Sequence, residues 1–212
     1  MIRADQISHP FFARVWTVMS AHETEALTRL RRENLDALSG RVLEVGAGTG
    51  TNFAHYPTTV DQVVAVEPEA LLVEHAGRAA AAAPVRVSVT GQTVESLTGT
   101  EPFDAVVCSL VLCTVDDAEG VARQLFSLLK PGGQLRYLEH VASAGWRGGA
   151  QRVADATVWP RLFGGCHTHR HTEDTLTGAG FELRGARHQW TLPRWLPLPV
   201  AEFALGRAVK PG

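Results

Sequence analysis

Apolar positions along the chain fall into alternating blocks of two periods. Phe11, Phe12, Val15, Trp16 and Met19 recur at helical spacing, and Ala26, Leu27, Leu30, Leu35 and Leu38 continue a second stripe, so 10–38 reads as helical up to Gly40. RVLEV (41–45), QVVAVEP (62–68) and VRVSV (85–89) are short apolar strands, and the alanine-rich stretch 70–83 is a helix stopped at Pro84. FDAVVCSLVL (103–112) is continuously apolar, as a strand buried on both faces requires. A helix over 116–129 follows, with Asp116 or Asp117 as cap and Val121, Leu125, Leu128 and Leu129 inside. KPGG (130–133) is a turn and QLRYLEHV (134–141) a fifth strand. Beyond Glu139 the pattern loosens. Residues 149–163 read as a helix with Val153, Val158 and Leu162 inside, and Thr172 caps a short helix ending at Gly178 or Gly180. FELRGARHQW (181–190) is a strand, LPRWLPLP (192–199) a link, and AEFALGRAVK (201–210) a last strand. Such alternation defines an α/β, Rossmann-like, doubly wound sheet of seven mostly parallel strands.

Composition narrows the class. With 212 residues, 45% hydrophobic and 20% charged, the chain is long enough for one ordinary globular domain. A formal net charge of -2 and no run of Lys or Arg give no nucleic-acid surface. MIRADQISHPFFARVW lacks the apolar core of a signal peptide, and no window is apolar enough to span a membrane. The three cysteines, Cys108, Cys113 and Cys166, have no framework spacing, so a cytoplasmic protein with reduced thiols is expected.

The first strand runs into Glu44-Val45-Gly46-Ala47-Gly48-Thr49-Gly50-Thr51-Asn52-Phe53. Glycines there let a ligand lie against bare backbone at the mouth of the sheet. The spacing is Gly-x-Gly-x-Gly, whereas a dinucleotide fingerprint is Gly-x-Gly-x-x-Gly. Glu44 before the loop disfavours a diphosphate and suits a cation. Glu67 closes the second strand, where a carboxylate can accept from two ribose hydroxyls. A ribose-bearing, positively charged cofactor satisfies both, and S-adenosylmethionine is one.

LEVGAGTGTNF, VVAVEP, FDAVVCSLVLCTV and LLKPGGQLRYLEHV together resemble the class I S-adenosylmethionine-dependent methyltransferases, from about Leu43 to the C-terminus. Tyr56-Pro57, VCSLVLCTV, EHV and GGCH-x-x-R are similar to a narrower branch that includes the alkyl-thiol methyltransferases of animals. The resemblance implies a single domain over 1–212, with a helical lid (1–38), a cofactor-binding core (41–141) and acceptor-side elements (142–212). It implies that Gly46, Ala47, Gly48, Gly50 and Asn52 form the cofactor loop, with Glu44 toward the ammonium end. Glu67 would hold the ribose, Pro68 shape the adenine slot, and Ser109 and Leu110 line the cofactor. Thr93 and Val94 fall where relatives hold the adenine edge. Gln92-Thr93-Val94-Glu95 departs from the usual acidic residue and Ala-Glu there, which leaves the contact to the backbone.

The implied reaction is methyl transfer to a small-molecule acceptor, a thiol before an O- or N-nucleophile of a metabolite or lipid head group. A nicotinamide-dependent dehydrogenase is the reading from another class. A thiol of pKa about 8.5 is already partly thiolate near neutrality, whereas an alcohol needs a proper base. His140, at the end of the fifth strand, is either that base or a structural histidine. Glu139 either orients it or pairs with Arg170. Cys113 either lines the acceptor pocket or fills core. Phe12 and Trp16 either close a lid or pack as core.

GGCHTHRHTEDT (164–175) draws attention to Cys166, His167, His169 and His171 as metal ligands. All four come from one short stretch, and structural zinc sites usually draw on two separated pairs, so no metal is expected. Cys166, His167 and Arg170 match the branch and are expected on the acceptor wall. His169 and His171 are departures from it.

Overall fold

A computed structural model of the chain describes residues 10–191 and 198–212; most of the proline-rich link read at 192–199 lies outside the described residues. The described residues form seven strands: β1 (Gly40–Val45), β2 (Val60–Val66), β3 (Val87–Thr90), β4 (Phe103–Ser109), β5 (Leu129–His140), β6 (Glu182–Trp190) and β7 (Glu202–Val209). Their order is β3-β2-β1-β4-β5-β7-β6; the first five are parallel, and β7 is antiparallel to both β5 and β6. The helices are α1 (Pro10–Ala21), α2 (Glu25–Leu35), α3 (Ala70–Ala81), α4 (Ala118–Leu128), α5 (Trp146–Ala156), α6 (Trp159–Leu162) and α7 (Thr172–Gly178).

β1 and β4 sit side by side at the centre, although two strands separate them in sequence. The strand order reverses between them, and a crevice opens at their carboxyl ends. Val42, Leu43, Ala105, Val106, Val107 and Cys108 on these strands have no exposed surface. One face of the sheet packs with Val121, Leu125 and Leu176 of α4 and α7. The other packs with Leu35, Leu38 and Ala76. Fully burying each such aliphatic side chain contributes about 1.5–3 kcal/mol. Among the described residues, no helix is long and apolar enough to cross a membrane.

Several local expectations are corrected. The helical run 10–38 is two helices, broken at Ala21–Thr24, where Thr24 turns extended and its hydroxyl accepts the Leu27 N–H at 3.3 Å. The third strand begins at Val87 rather than 85. The strand read over 103–112 ends at Ser109: Leu110 has φ 64, and the chain leaves the sheet. Val111, Leu112 and Cys113 stay apolar because they are buried, not because they are strand. KPGG is not a free turn. It bulges within β5, since Phe103 pairs with Leu129 but Ala105 with Gln134, and Gly132 and Gly133 exchange backbone bonds with Lys210.

The run 149–163 is two helices, and Val153, Val158 and Leu162, expected inside, are 65%, 58% and 48% exposed. A helical stripe shows which side chains share a face, not whether another element covers it. Thr172 is the first residue of α7, not its cap, and its hydroxyl is buried with no partner among the described residues. Asp117 does cap α4, accepting Gly120 N–H at 2.8 Å.

β5, β6 and β7 meet tightly at Gly206. A methyl group there would overlap the Tyr137 hydroxyl oxygen and stand 2.7 Å from Tyr137 Cζ and 3.1 Å from Ala186 Cα. Tyr137 is fully buried and holds Glu173 Oε1 at 3.1 Å, so it has little room to retreat. Gly206→Ala should cost on the order of 1–3 kcal/mol. Thermal unfolding checks this, and an unchanged Tm would contradict the packing.

Candidate active site

The carboxyl ends of β1, β2, β4 and β5 bring the candidate groups to one edge. Gly46 has φ 61, and a Cβ on it would stand 2.7 Å from Val111 Cγ2, so only glycine fits between strand and neighbour. The Gly48 N–H donates to Glu67 Oε2 at 2.8 Å, and Glu69 N–H donates to Glu67 Oε1 at 2.9 Å. Burial raises the Glu67 pKa, and these two backbone donors work against that rise. Pro68 follows at the half-buried exit of β2. Thr93 opens a short turn whose Val94 is core. Beside them Thr90 Oγ1 is buried with no partner among the described residues, although its carbonyl accepts the Glu67 N–H at 3.0 Å.

Glu44, Asn52 and Ser109 lie underneath the loop. Glu44 is 2% exposed; Oε1 accepts from Asn52 Nδ2 at 3.0 Å and Oε2 from the Tyr56 hydroxyl at 2.6 Å. Asn52 also donates to Ser109 Oγ at 3.1 Å and accepts from Arg31 Nη1 at 3.1 Å. Arg31 in turn pairs with Glu23 at 2.9 Å. The sequence reading missed Arg31 and gave Tyr56 no role. Leu110, in the left-handed region, is held by its N–H to Leu138 O at 2.8 Å.

The acceptor-side residues converge around His140. Its Nδ1 lies 3.9 Å from Cys113 Sγ and 3.8 Å from Cys166 Sγ. Both cysteines are buried. The hydrogen bond from Cys113 is the main reason the Cys166 thiol titrates well below its ordinary range, with His140 adding to it, and Cys113 is held correspondingly high. Glu139 neither orients His140 nor meets Arg170. It is fully buried, and its carboxylate accepts Val111 N–H at 3.0 Å and Cys113 N–H at 3.3 Å. Arg170 donates to Val115 O at 2.7 Å.

His167 takes part through its backbone, N–H to Cys113 O at 2.7 Å, while its ring lies 4.0 Å from Asp155. His169 meets Arg152 at 3.3 Å and packs edge-on against the His171 ring at 5.2 Å, His171 lies 3.9 Å from Asp174, and the His167 ring turns to Asp155 instead, so the three do not converge on one point. Asp155 and Gln151 of α5, which the sequence reading passed over, fix this segment. Asp155 accepts from Thr168 N–H at 2.7 Å and His169 N–H at 2.9 Å, and Gln151 Nε2 donates to Val141 O and Thr168 O, each at 3.0 Å. A buried glutamine at helical spacing from an aspartate was the available signal.

α1 reaches both halves of the site. A Cβ on Gly48 would stand 2.9 Å from Trp16 Nε1, and one on Gly164 would stand 2.6 Å from Phe12 Cδ1. Phe12 and Trp16 stack with ring centroids 5.9 Å apart.

A glycine cradle at the switch point of a parallel sheet, with an acid closing the next strand, defines a nucleoside-cofactor-binding α/β domain. Residues 44–69 carry Glu44, Asp61, Glu67 and Glu69 and no Lys or Arg, which suits a cationic nucleoside and not a diphosphate. The unpartnered Thr90 hydroxyl beside Glu67 leaves a polar group for such a ligand. The family model described as a methyltransferase domain matches residues 19–184. The thiol S-methyltransferase TMT1B of Mus musculus is 33% identical over 212 residues, 95% of this chain and 85% of that protein. The [4+2]-cyclase SpnF superposes with a TM-score of 0.72 at 19% identity, over 95% of this chain and 94% of that one. The N-methyltransferase NodS of Bradyrhizobium japonicum, in complex with S-adenosyl-L-homocysteine, superposes at 0.65 with 16% identity, over 100% and 91%. The chain belongs to the S-adenosylmethionine-dependent methyltransferases, which sets the nicotinamide alternative aside.

The buried Glu44 gives a pH-dependent test. Burial raises its pKa from the ordinary 4.5 to about 7, against hydrogen bonds from Tyr56 and Asn52 and the charge of Arg31. The folded state therefore holds the proton more tightly than the unfolded chain. The stability this provides is fully present below pH 4.5 and is lost as pH rises through about 7. In Glu44→Gln that dependence disappears. Denaturant unfolding of both proteins at pH 5 and pH 8 should show their stability difference changing by up to roughly 3 kcal/mol in favour of the variant at high pH. A difference independent of pH would refute it.

Proposed function

We propose that the protein transfers the methyl group of S-adenosylmethionine to the sulfur of a small thiol. The observation that carries this reading is the 33% identity to a thiol S-methyltransferase across 85% of that protein's length. The geometry favours the same acceptor. An alcohol would need a strong base aimed at its proton, but Glu139, the carboxylate next to His140, is fully buried and engaged by backbone N–H groups. The side chains gathered at the end of β5 are an imidazole and two thiols, soft groups suited to sulfur.

When bound, S-adenosylmethionine supplies an electrophilic methyl on a sulfonium. The chain's task is to orient and to exclude water. Gly46, Ala47, Gly48 and Gly50 provide the backbone cradle, Glu67 the acceptor for ribose hydroxyls, and Pro68, Thr93 and Val94 the adenine side. Glu44, Asn52 and Ser109 hold the cradle from beneath. Phe12 and Trp16 roof the crevice, one over the acceptor wall and the other over the cofactor loop. Cys113, His140 and Cys166 face the acceptor, while His167 and Arg170 fasten their segment to the β4 loop.

Two measurements test this. In an assay for S-adenosylhomocysteine over matched small thiols, phenols and amines, thiols should turn over fastest; activity confined to phenols would refute the acceptor. By calorimetry, Glu67→Ala should weaken S-adenosylmethionine binding at least tenfold, the scale of lost charge-assisted hydrogen bonds. Unchanged affinity would remove Glu67 from the site.

A further inference from the structure

We propose that Cys113, His140 and Cys166 bind a zinc ion with an open fourth position, and that the acceptor thiol takes that position as a thiolate. The second half rests on the thiol reading; the first does not. Its ligands come from three separate places, the loop after β4, the end of β5 and the turn before α7, so no local spacing marks it.

The three ligand atoms lie within 4.8 Å of one another, with Sγ to Nδ1 separations of 3.9 and 3.8 Å. Zinc–sulfur bonds of about 2.3 Å and zinc–nitrogen bonds of about 2.0 Å at tetrahedral angles require edges of roughly 3.5–3.8 Å. The sulfur–nitrogen edges need shifts of a few tenths of an ångström at most, and the sulfur–sulfur edge, within 4.8 Å, needs up to about 1 Å, a side-chain rotation rather than a backbone movement. Two cysteines and one histidine are a donor set used by catalytic zinc, which keeps its fourth position open, and borderline-soft zinc suits thiolate with imidazole. Among the described residues this is the group with such geometry.

Each ligand is also held from behind. Cys113 N–H goes to Glu139, and its carbonyl receives His167 N–H at 2.7 Å. Cys166 N–H goes to Phe163 O at 3.0 Å, and the His140 ring lies 4.7 Å from that of Phe203. Such outer contacts orient ligands before the metal arrives. The cysteines are buried and His140 is only partly so, which leaves the approach past the His140 ring.

The chemistry balances without an oxidant. On coordination the acceptor S–H bond breaks and its proton leaves to solvent. A sulfur lone pair then forms the new S–C bond. The bond from that methyl to the sulfonium breaks, and its electron pair returns to the departing sulfur, giving S-adenosylhomocysteine and the thioether.

The test is metal analysis of untagged protein purified without chelators, with circular dichroism to show that each variant folds. About one zinc per chain is expected in the wild type, with loss in Cys166→Ser and in His140→Ala and no loss in His169→Ala. Should the variants unfold, cobalt(II) added to the metal-free wild type gives a second readout: thiolate-to-cobalt absorption in the near ultraviolet that changes when a small thiol is added. Wild-type protein that neither retains zinc nor takes up zinc or cobalt overturns the proposal. So does zinc that survives Cys166→Ser but not His169→Ala. Thiol turnover undiminished in the zinc-free enzyme overturns it while leaving the thiol reading standing. Zinc bound as expected with turnover of phenols alone overturns the acceptor half and that reading together.

Discussion

The site depends on one buried carboxylate. Glu139 closes β5 with no exposed surface, and burial raises its pKa, against backbone donors at Val111, Leu112 and Cys113. Leaving such a group without partners would cost several kcal/mol. The partners it takes are the N–H groups freed when the chain leaves β4 at Leu110, which a buried loop must satisfy somehow. Meeting that need bends the loop so that Val111 sits on Gly46 and Cys113 faces His140. One interaction therefore sets the cofactor loop's neighbour and an acceptor-side thiol together.

The same device recurs wherever the chain departs from regular structure near the crevice. Beneath the glycine loop, Glu44 collects Asn52 and Tyr56, and Asn52 reaches on to Ser109 and Arg31. On the acceptor side, Asp155 and Gln151 take up the free backbone groups of the segment around Thr168. These anchors sit behind the site. They satisfy the polar groups that its loops would otherwise bury unpaired.

Much of the fold was legible because burial on a parallel sheet writes itself as apolar runs separated by amphipathic helices. The glycine loop and Glu67 were legible for a local reason: their chemistry sits within one strand–loop–strand unit. What failed was inference from apolarity to geometry. Val111 to Cys113 are as apolar as a strand but form a loop, and Val153, Val158 and Leu162 recur helically on a face that no described residue buries. Cys113, His140 and Cys166 were each singled out, yet not as a group. Separations of 27 and 26 residues carry no local pattern, and only the β4–β5 pairing and the turn at 164–171 bring them together. The eye-catching histidines at 169 and 171 pair instead with Arg152 and Asp174 nearby.

The roof joins the two halves. Trp16 and Phe12 are one helical turn apart, so the groups under them, Gly48 and Gly164, lie beneath a span of about 6 Å. Their rings stack, and Ser20 further along α1 holds the loop through Thr49 Oγ1 at 3.0 Å. The turn at Gly48 and the turn at Gly164 are thus both packed against one helix rather than two. In the proposed transfer the nucleophile and the methyl must be aligned and desolvated in the same instant, and a roof shared by both turns would make those two requirements one.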